Sequence, residues 1–113
     1  MRDLIKVFKA LSDPNRIRIL KMLEAGPLCV CEITEVLELA PSTVSKHLSL
    51  LRDVNFILDK KDGKWVYYEL NKTDGAQFIP ELLPLIRKWL PEDEVILNDR
   101  QKVETVERNS CTV

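Results

Sequence analysis

Leu4, Ile5, Phe8 and Leu11 recur at helical spacing with Lys6 and Lys9 off the stripe, so the chain is predicted to open on an amphipathic helix. Ser12-Asp13-Pro14 ends it and starts the next. Asp13 suits the N-cap and Pro14 the first helical position, where a missing amide hydrogen costs nothing. The second helix carries Ile17, Ile19, Leu20 and Leu23 toward Gly26-Pro27 and leaves Arg16, Arg18 and Lys21 mostly off its buried face. Those three read as a solvated basic edge or as phosphate contacts. A third helix places Ile33, Val36 and Leu37 at i, i+3 and i+4, then breaks at Leu39-Ala40-Pro41-Ser42. A fourth restarts at once, with Ser42 as its expected cap and Val44, Leu48 and Leu51 on one face. Thr43, Ser45, Lys46 and Ser49 fall on other faces, available to a partner. Two short helices joined by a tight turn, the second bearing small polar and basic side chains, place a recognition helix in a DNA major groove.

Beyond Arg52 the period changes. Phe56-Ile57-Leu58 and Trp65-Val-Tyr-Tyr-Glu-Leu70 are β-prone runs separated by Asp59-Lys-Lys-Asp-Gly-Lys64, which predicts a two-stranded hairpin turning at Asp62-Gly63. Lys60, Lys61 and Lys64 would gather at its tip, either as contacts to DNA phosphate or minor groove or as charges that guard an exposed edge. The fold class is therefore mainly α with some β: a winged helix-turn-helix. Residues 78–90 are apolar on more than one side, with Pro80 and Pro84 expected to confine the regular helix to Leu85 onward or to bend it. Ile79, Leu82, Leu83, Ile86, Trp89 and Leu90 exceed what one face needs, which suggests a subunit interface shared with the first helix. From Pro91 the apolar positions Val95, Ile96, Val103 and Val106 are too sparse for a helix, and a frayed tail carrying Cys111 is expected.

Composition narrows the classes. At 113 residues, 45% hydrophobic, the chain suffices for one globular domain over residues 1–90, followed by the tail 91–113. No apolar run approaches the roughly 18 residues of a membrane span, and Met1-Arg-Asp leads into an amphipathic segment rather than a signal peptide, so a cytoplasmic protein is expected. The net charge of −1 looks wrong for a nucleic-acid binder, but residues 1–90 carry +2 and residues 91–113 carry −3, so a DNA surface must be a local patch. Three cysteines in that compartment point to metal or thiol chemistry rather than a disulfide framework. No Ser/His/Asp, paired-carboxylate or phosphate-loop constellation supports an enzyme, and no catalytic cofactor is implied.

Ala10-Leu-Ser-Asp-Pro-Asn-Arg-Ile-Arg-Ile-Leu20, Leu28-Cys-Val-Cys-Glu-Ile33, Ser42-Thr-Val-Ser-Lys-His-Leu-Ser-Leu-Leu-Arg52 and Gly63-Lys-Trp-Val-Tyr-Tyr-Glu-Leu70 together resemble the ArsR/SmtB family of winged-helix metal-sensing repressors, over roughly residues 4–90. The resemblance implies a homodimer joined through the first and last helices, which binds an imperfect palindrome in double-stranded operator DNA and lets go when a ligand fills its sensor site. The Cys-Val-Cys pair, Cys29 and Cys31, marks the arsenic-type and cadmium/lead-type sensors, and implies arsenite or antimonite, or another soft metal ion, as effector. Many arsenic-type relatives place a third cysteine three residues on, where this chain has Thr34. Cys111, a solvent hydroxyl or a small cellular thiol would then complete the shell. Zinc-type relatives use histidines and carboxylates on the last helix, a set this chain cannot assemble because its one histidine, His47, lies in the recognition helix.

A helix turns about 100° per residue, so thiols at i and i+2 of a regular helix point to nearly opposite sides, and binding one ion must deform that turn. The positive end of the helix dipole is expected to lower the thiol pKa there and favour the thiolate. Glu32 reads simply as an acid in a first helical turn. Ser42, Thr43, Ser45 and Lys46 are the expected DNA contacts of the recognition helix, and His47 a packing, capping or DNA-contact residue rather than a ligand. The rival reading is a winged-helix repressor whose cysteines answer to thiol oxidation, or to cadmium or lead.

Overall fold

The structure, a computed structural model, describes residues 1–73 and 77–106. Its elements are α1 (Arg2–Leu11), α2 (Pro14–Met22), a 3-10 turn (Leu23–Ala25), β1 (Leu28–Cys29), α3 (Val30–Leu37), α4 (Pro41–Asp53), β2 (Ile57–Asp62), β3 (Trp65–Leu70), α5 (Ile79–Lys88) and α6 (Glu94–Thr105). Asp13 caps α2 as expected, its carboxylate accepting from the amides of Asn15 at 2.8 Å and Arg16 at 3.3 Å. Ile19 and Leu20 of α2, Ile33 and Val36 of α3, and Val44 and Leu48 of α4 meet in a core almost without solvent contact. The helix-turn-helix is held from within by these β-branched and leucine side chains, which frees the opposite face of α4.

Ser42 does not cap α4. Ala40 occupies the N-cap without a side-chain bond and Pro41 is the first helical residue, because its ring fixes a helical φ and moves the start one residue earlier. The far end of α4 closes in a Schellman motif: Phe56 N–H donates to Leu51 O at 3.0 Å and Asn55 N–H to Arg52 O at 2.9 Å, with Asn55 at φ +69°. Asn71, buried at the end of β3, donates through Nδ2 to Asn55 O at 3.1 Å and through its amide to Phe56 O at 2.9 Å. The foot of the hairpin is thereby tied to the end of α4.

The sheet has three strands in the order β1-β3-β2, all antiparallel, where the sequence predicts two. The extra strand is the two-residue β1, with Leu28 opposite Tyr68 and Cys29 opposite Tyr67, too short to leave a period of its own. Asp62 pairs with Trp65, so the turn is Gly63-Lys64, and the positive dihedral sits on Gly63 (φ +61°) rather than on an Asp62-Gly63 pair.

α5 is regular from Ile79, ahead of the predicted Leu85: Pro80 falls at the second helical position, where no amide is needed, and Pro84 forfeits a single hydrogen bond. The stretch read as a frayed tail is, between Glu94 and Thr105, a helix packed on α2 and α3. Asp93 caps it, accepting from Val95 and Ile96 amides at 3.0 and 3.3 Å, and Ile96 and Val103 turn inward one above the other. Polar pairing supplies the rest of its anchorage. Asp99, 2% exposed, takes Arg18 of α2 in a two-pronged pair at 2.8 and 2.9 Å, and Arg100 meets Glu24 at 3.0 Å.

Candidate functional site

Cys29 is both the last residue of β1 and the N-cap of α3, in extended conformation (φ −81°, ψ 162°), and Cys31 is the second residue of the helix proper. The two thiols are therefore not i and i+2 of one regular helix. The backbone already changes direction between them, so the deformation expected of a straight helical turn is built into the fold. Neither cysteine is in a disulfide, Cys29 is 1% exposed and Cys31 half-buried.

Glu32 is more than an acid near a dipole. Its carboxylate accepts from the Cys29 amide at 3.0 Å, and Cys29 takes the place that serine or threonine fills in the reciprocal capping arrangement at a helix start. The expected lowering of the thiol pKa is overturned at Cys29. Burial pushes this thiol up to about 11, the Glu32 carboxylate beside it adds to the rise, and the helix start does not offset the two. Thr34, at the position of a third cysteine, donates its hydroxyl to Val30 O at 2.7 Å and is engaged within the helix. Among the described residues no three His, Cys, Asp or Glu side chains converge as a metal cage, and Cys111 lies outside the described residues. Cys29 and Cys31 are the two cysteines among the described residues, and both are reduced thiols.

On α4, Ser42, Thr43, Ser45 and Lys46 are exposed and His47 is half-buried, while Val44, Leu48 and Leu51 are sealed inward. Along the wing the sequence gathers three lysines at the tip, and the register separates them. Lys64 is in the turn and Lys61 opposite Val66. Lys60 lies lower, opposite Tyr67, with its ammonium 2.7 Å from Glu69. Lys61 and Lys64 are the exposed cations of the tip.

The basic residues of α2 are neither a solvated edge nor poised for phosphate. Arg16 donates through Nε to Ala10 O at 2.7 Å and through Nη2 to Lys9 O at 3.2 Å, capping α1, while Nη1 reaches His47 Nδ1 at 3.2 Å. Arg18 is paired with Asp99, whose carboxylate holds the guanidinium above its usual pKa. Lys21, 2% exposed, donates to Ile86 O, Arg87 O and Trp89 O at 2.9, 3.3 and 2.8 Å and lies 3.1 Å from Glu24. Apart from the local pairs of Lys21 with Glu24 and Arg18 with Asn15, the partners belong to other elements, and sequence spacing carries no signal for those.

A core-anchored helix-turn-helix with an exposed polar face on its second helix, followed by a hairpin tied to that helix, defines a winged-helix DNA-binding protein. Residues 13–58 match the family model described as "Bacterial regulatory protein, arsR family". The chain is 36% identical over 108 residues to the arsenical resistance operon repressor of Escherichia coli, covering 93% of this chain and 82% of that protein. It is 44% identical over 98 residues to an arsenic resistance transcriptional regulator of Pseudomonas putida, covering 82% and 84%. Among solved structures, the AntR antimony-specific transcriptional repressor superposes with a TM-score of 0.56 at 26% identity, over 73% of this chain and 71% of the other. The chain belongs to the arsR family of bacterial regulatory proteins; it is a DNA-binding transcriptional regulator and not an enzyme. Among the described residues no helix is long and apolar enough to cross a membrane.

Proposed function

We propose that this protein is a cytoplasmic, homodimeric repressor that holds an imperfectly palindromic operator through α4 and the wing, and releases it when arsenite or antimonite is bound by Cys29 and Cys31. The observation that carries the reading is the double role of Cys29. It ends a strand hydrogen-bonded to the wing and caps the helix that supports α4, so a ligand drawn to its sulfur acts on both DNA-facing elements at once. The chemistry of the pair suits a metalloid: each protonated thiol forms a sulfur–arsenic bond while its proton leaves with a hydroxide of arsenous acid as water. A solvent hydroxyl, a small thiol or Cys111 takes the third position. The relatives named for arsenic and antimony support this choice of effector. The dimer rests on apolar side chains left exposed on and just beyond α1 and α5, with Ile5 48%, Phe8 54%, Leu85 42% and Trp89 51% accessible.

The two-ligand set among the described residues favours one rival, release by thiol oxidation. Titrating the reduced protein–operator complex separates the two. Arsenite or antimonite is expected to free the DNA, and release by peroxide alone, with arsenite, antimonite, cadmium and lead all inert, would overturn the assignment.

Exposure and pairing set what the DNA face should do when altered. Lys46→Ala should weaken operator binding by about 1–3 kcal/mol with the fold intact, and unchanged affinity would remove Lys46 from the interface. Replacing Lys61 and Lys64 together should weaken operator and random DNA by similar factors, with Lys60→Ala doing less because its charge is already paired with Glu69. A loss confined to the operator would show that the wing reads bases.

A further inference from the structure

Arg16 joins three parts of the molecule through one planar group. Two of its donors hold the last carbonyls of α1, Ala10 O at 2.7 Å and Lys9 O at 3.2 Å, and the third is directed at His47 Nδ1 on α4 at 3.2 Å. A guanidinium has five N–H donors and no acceptor, so the contact forms only if Nδ1 of His47 accepts. In the neutral ring the single proton then resides on Nε2. His47 is half-buried one turn beyond the exposed Thr43, on the same side of the helix, so its ring stands at the margin of the polar face of α4.

We infer that Arg16 is a positioning residue for DNA binding: by occupying Nδ1 it holds His47 in one tautomer and one pose, with Nε2–H offered as a directed donor to an acceptor on DNA. The inference rests on α4 being the element that meets DNA. What it adds is a residue of α2, outside the interface, that sets what α4 presents, and a direct tie between the end of α1 and the recognition helix. A donor held in place before binding loses less rotamer freedom on contact than a free imidazole does.

His47 is the only histidine, so nitrogen-15 labelling of histidine gives one ring to observe. In the DNA-free protein the neutral ring should show Nε2 protonated and Nδ1 bare in a single form, and Arg16→Met should restore exchange between both tautomers. A proton on Nδ1 in the unsubstituted protein would overturn the assignment. For DNA, His47→Phe should lose roughly tenfold in affinity, as for one hydrogen bond. His47→Gln, whose amide places a donor near the same point, should recover most of it. Arg16→Met should weaken binding in the native background and add little in the His47→Phe background, because the two residues act as one unit. Equal added losses in both backgrounds would leave Arg16 as a cap of α1 only and overturn the positioning role. Equal losses on operator and random DNA would assign the acceptor to phosphate, and an operator-only loss to a base edge; either supports the donor. If His47→Phe binds normally while Lys46→Ala is impaired, this inference fails and the recognition-helix reading stands. If both bind normally, that reading itself has failed.

Discussion

Replacing Cys29 and Cys31 together by serine should yield a repressor that stays on its operator at arsenite concentrations that release the unsubstituted protein. The hydroxyl fills nearly the volume of the thiol but is a poor ligand for soft ions. DNA affinity without effector should be preserved, and the coupling of roughly 1–3 kcal/mol typical of such linked sites should vanish. Operator-binding anisotropy against arsenite checks this, and release by the double variant at the original concentration would refute the cysteine site. The raised Cys29 thiol adds a pH signature. At about 11 it stays protonated across the neutral range, and arsenous acid removes that proton as water. Arsenite affinity should therefore change little from about pH 6 to 8, whereas a divalent cation must expel the proton and should gain about tenfold per pH unit for this thiol alone. An arsenite affinity as steep in pH as that of cadmium would contradict the environment described for Cys29. Stability follows the same titration. A thiol raised from 9.0 to about 11 on folding supports the fold fully below 9 and loses that support as pH rises toward 11.

Lys21→Ala should be among the most destabilising single substitutions, at about 3–5 kcal/mol in a urea or thermal melt. The lysine is 2% exposed, and its ammonium both satisfies Ile86 O and Trp89 O at the end of α5 and neutralises Glu24. Removing it withdraws a donor from the carbonyls of Ile86, Arg87 and Trp89 and leaves Glu24 with Arg100 alone. Lys21→Met paired with Glu24→Gln should recover part of the loss, since the methionine refills the apolar volume and no carboxylate is left in the site. A cost below about 1 kcal/mol for Lys21→Ala would mean the ammonium is hydrated rather than built in.

Helices announced by an apolar repeat were legible in advance: Leu4 to Leu11, Ile33 to Leu37 and Val44 to Leu51 all form helices where their spacing puts them, although in α1 the predicted stripe residues Ile5 and Phe8 are exposed and Val7 and Ala10 are the buried pair. α6 was not, because much of what holds it is the bond from Asp99 to Arg18, 81 residues away in sequence, which no local period encodes. The same long-range pairing explains why Arg16, Arg18 and Lys21 read as surface charges and are in fact internal fasteners. At the candidate site, residue types and order alone put the cysteine pair at the start of α3 and a polar face on α4. The environment of Cys29 was not, since its burial depends on the strand register with Tyr67 and on the reach of Glu32. A helix-start rule alone points its thiol pKa the wrong way.

The commitment of α2's cations inside the fold also bears on how the protein searches a genome. Arg16, Arg18 and Lys21 are engaged internally, Arg52 is paired with Asp59 and Lys60 with Glu69, so α4 and the wing keep Lys46, Lys61 and Lys64 to meet phosphate. Each neutralised phosphate contributes a salt exponent of about 0.9, so about three per chain, and about six in a dimer, give an exponent of about 5. Its grip on operator and random DNA alike should therefore fall steeply as salt rises, and each lysine removed should lower the exponent. On the function proposed above, phosphate contacts of this kind carry no sequence information, and the choice of an operator over random sequence is left to base-edge contacts from α4.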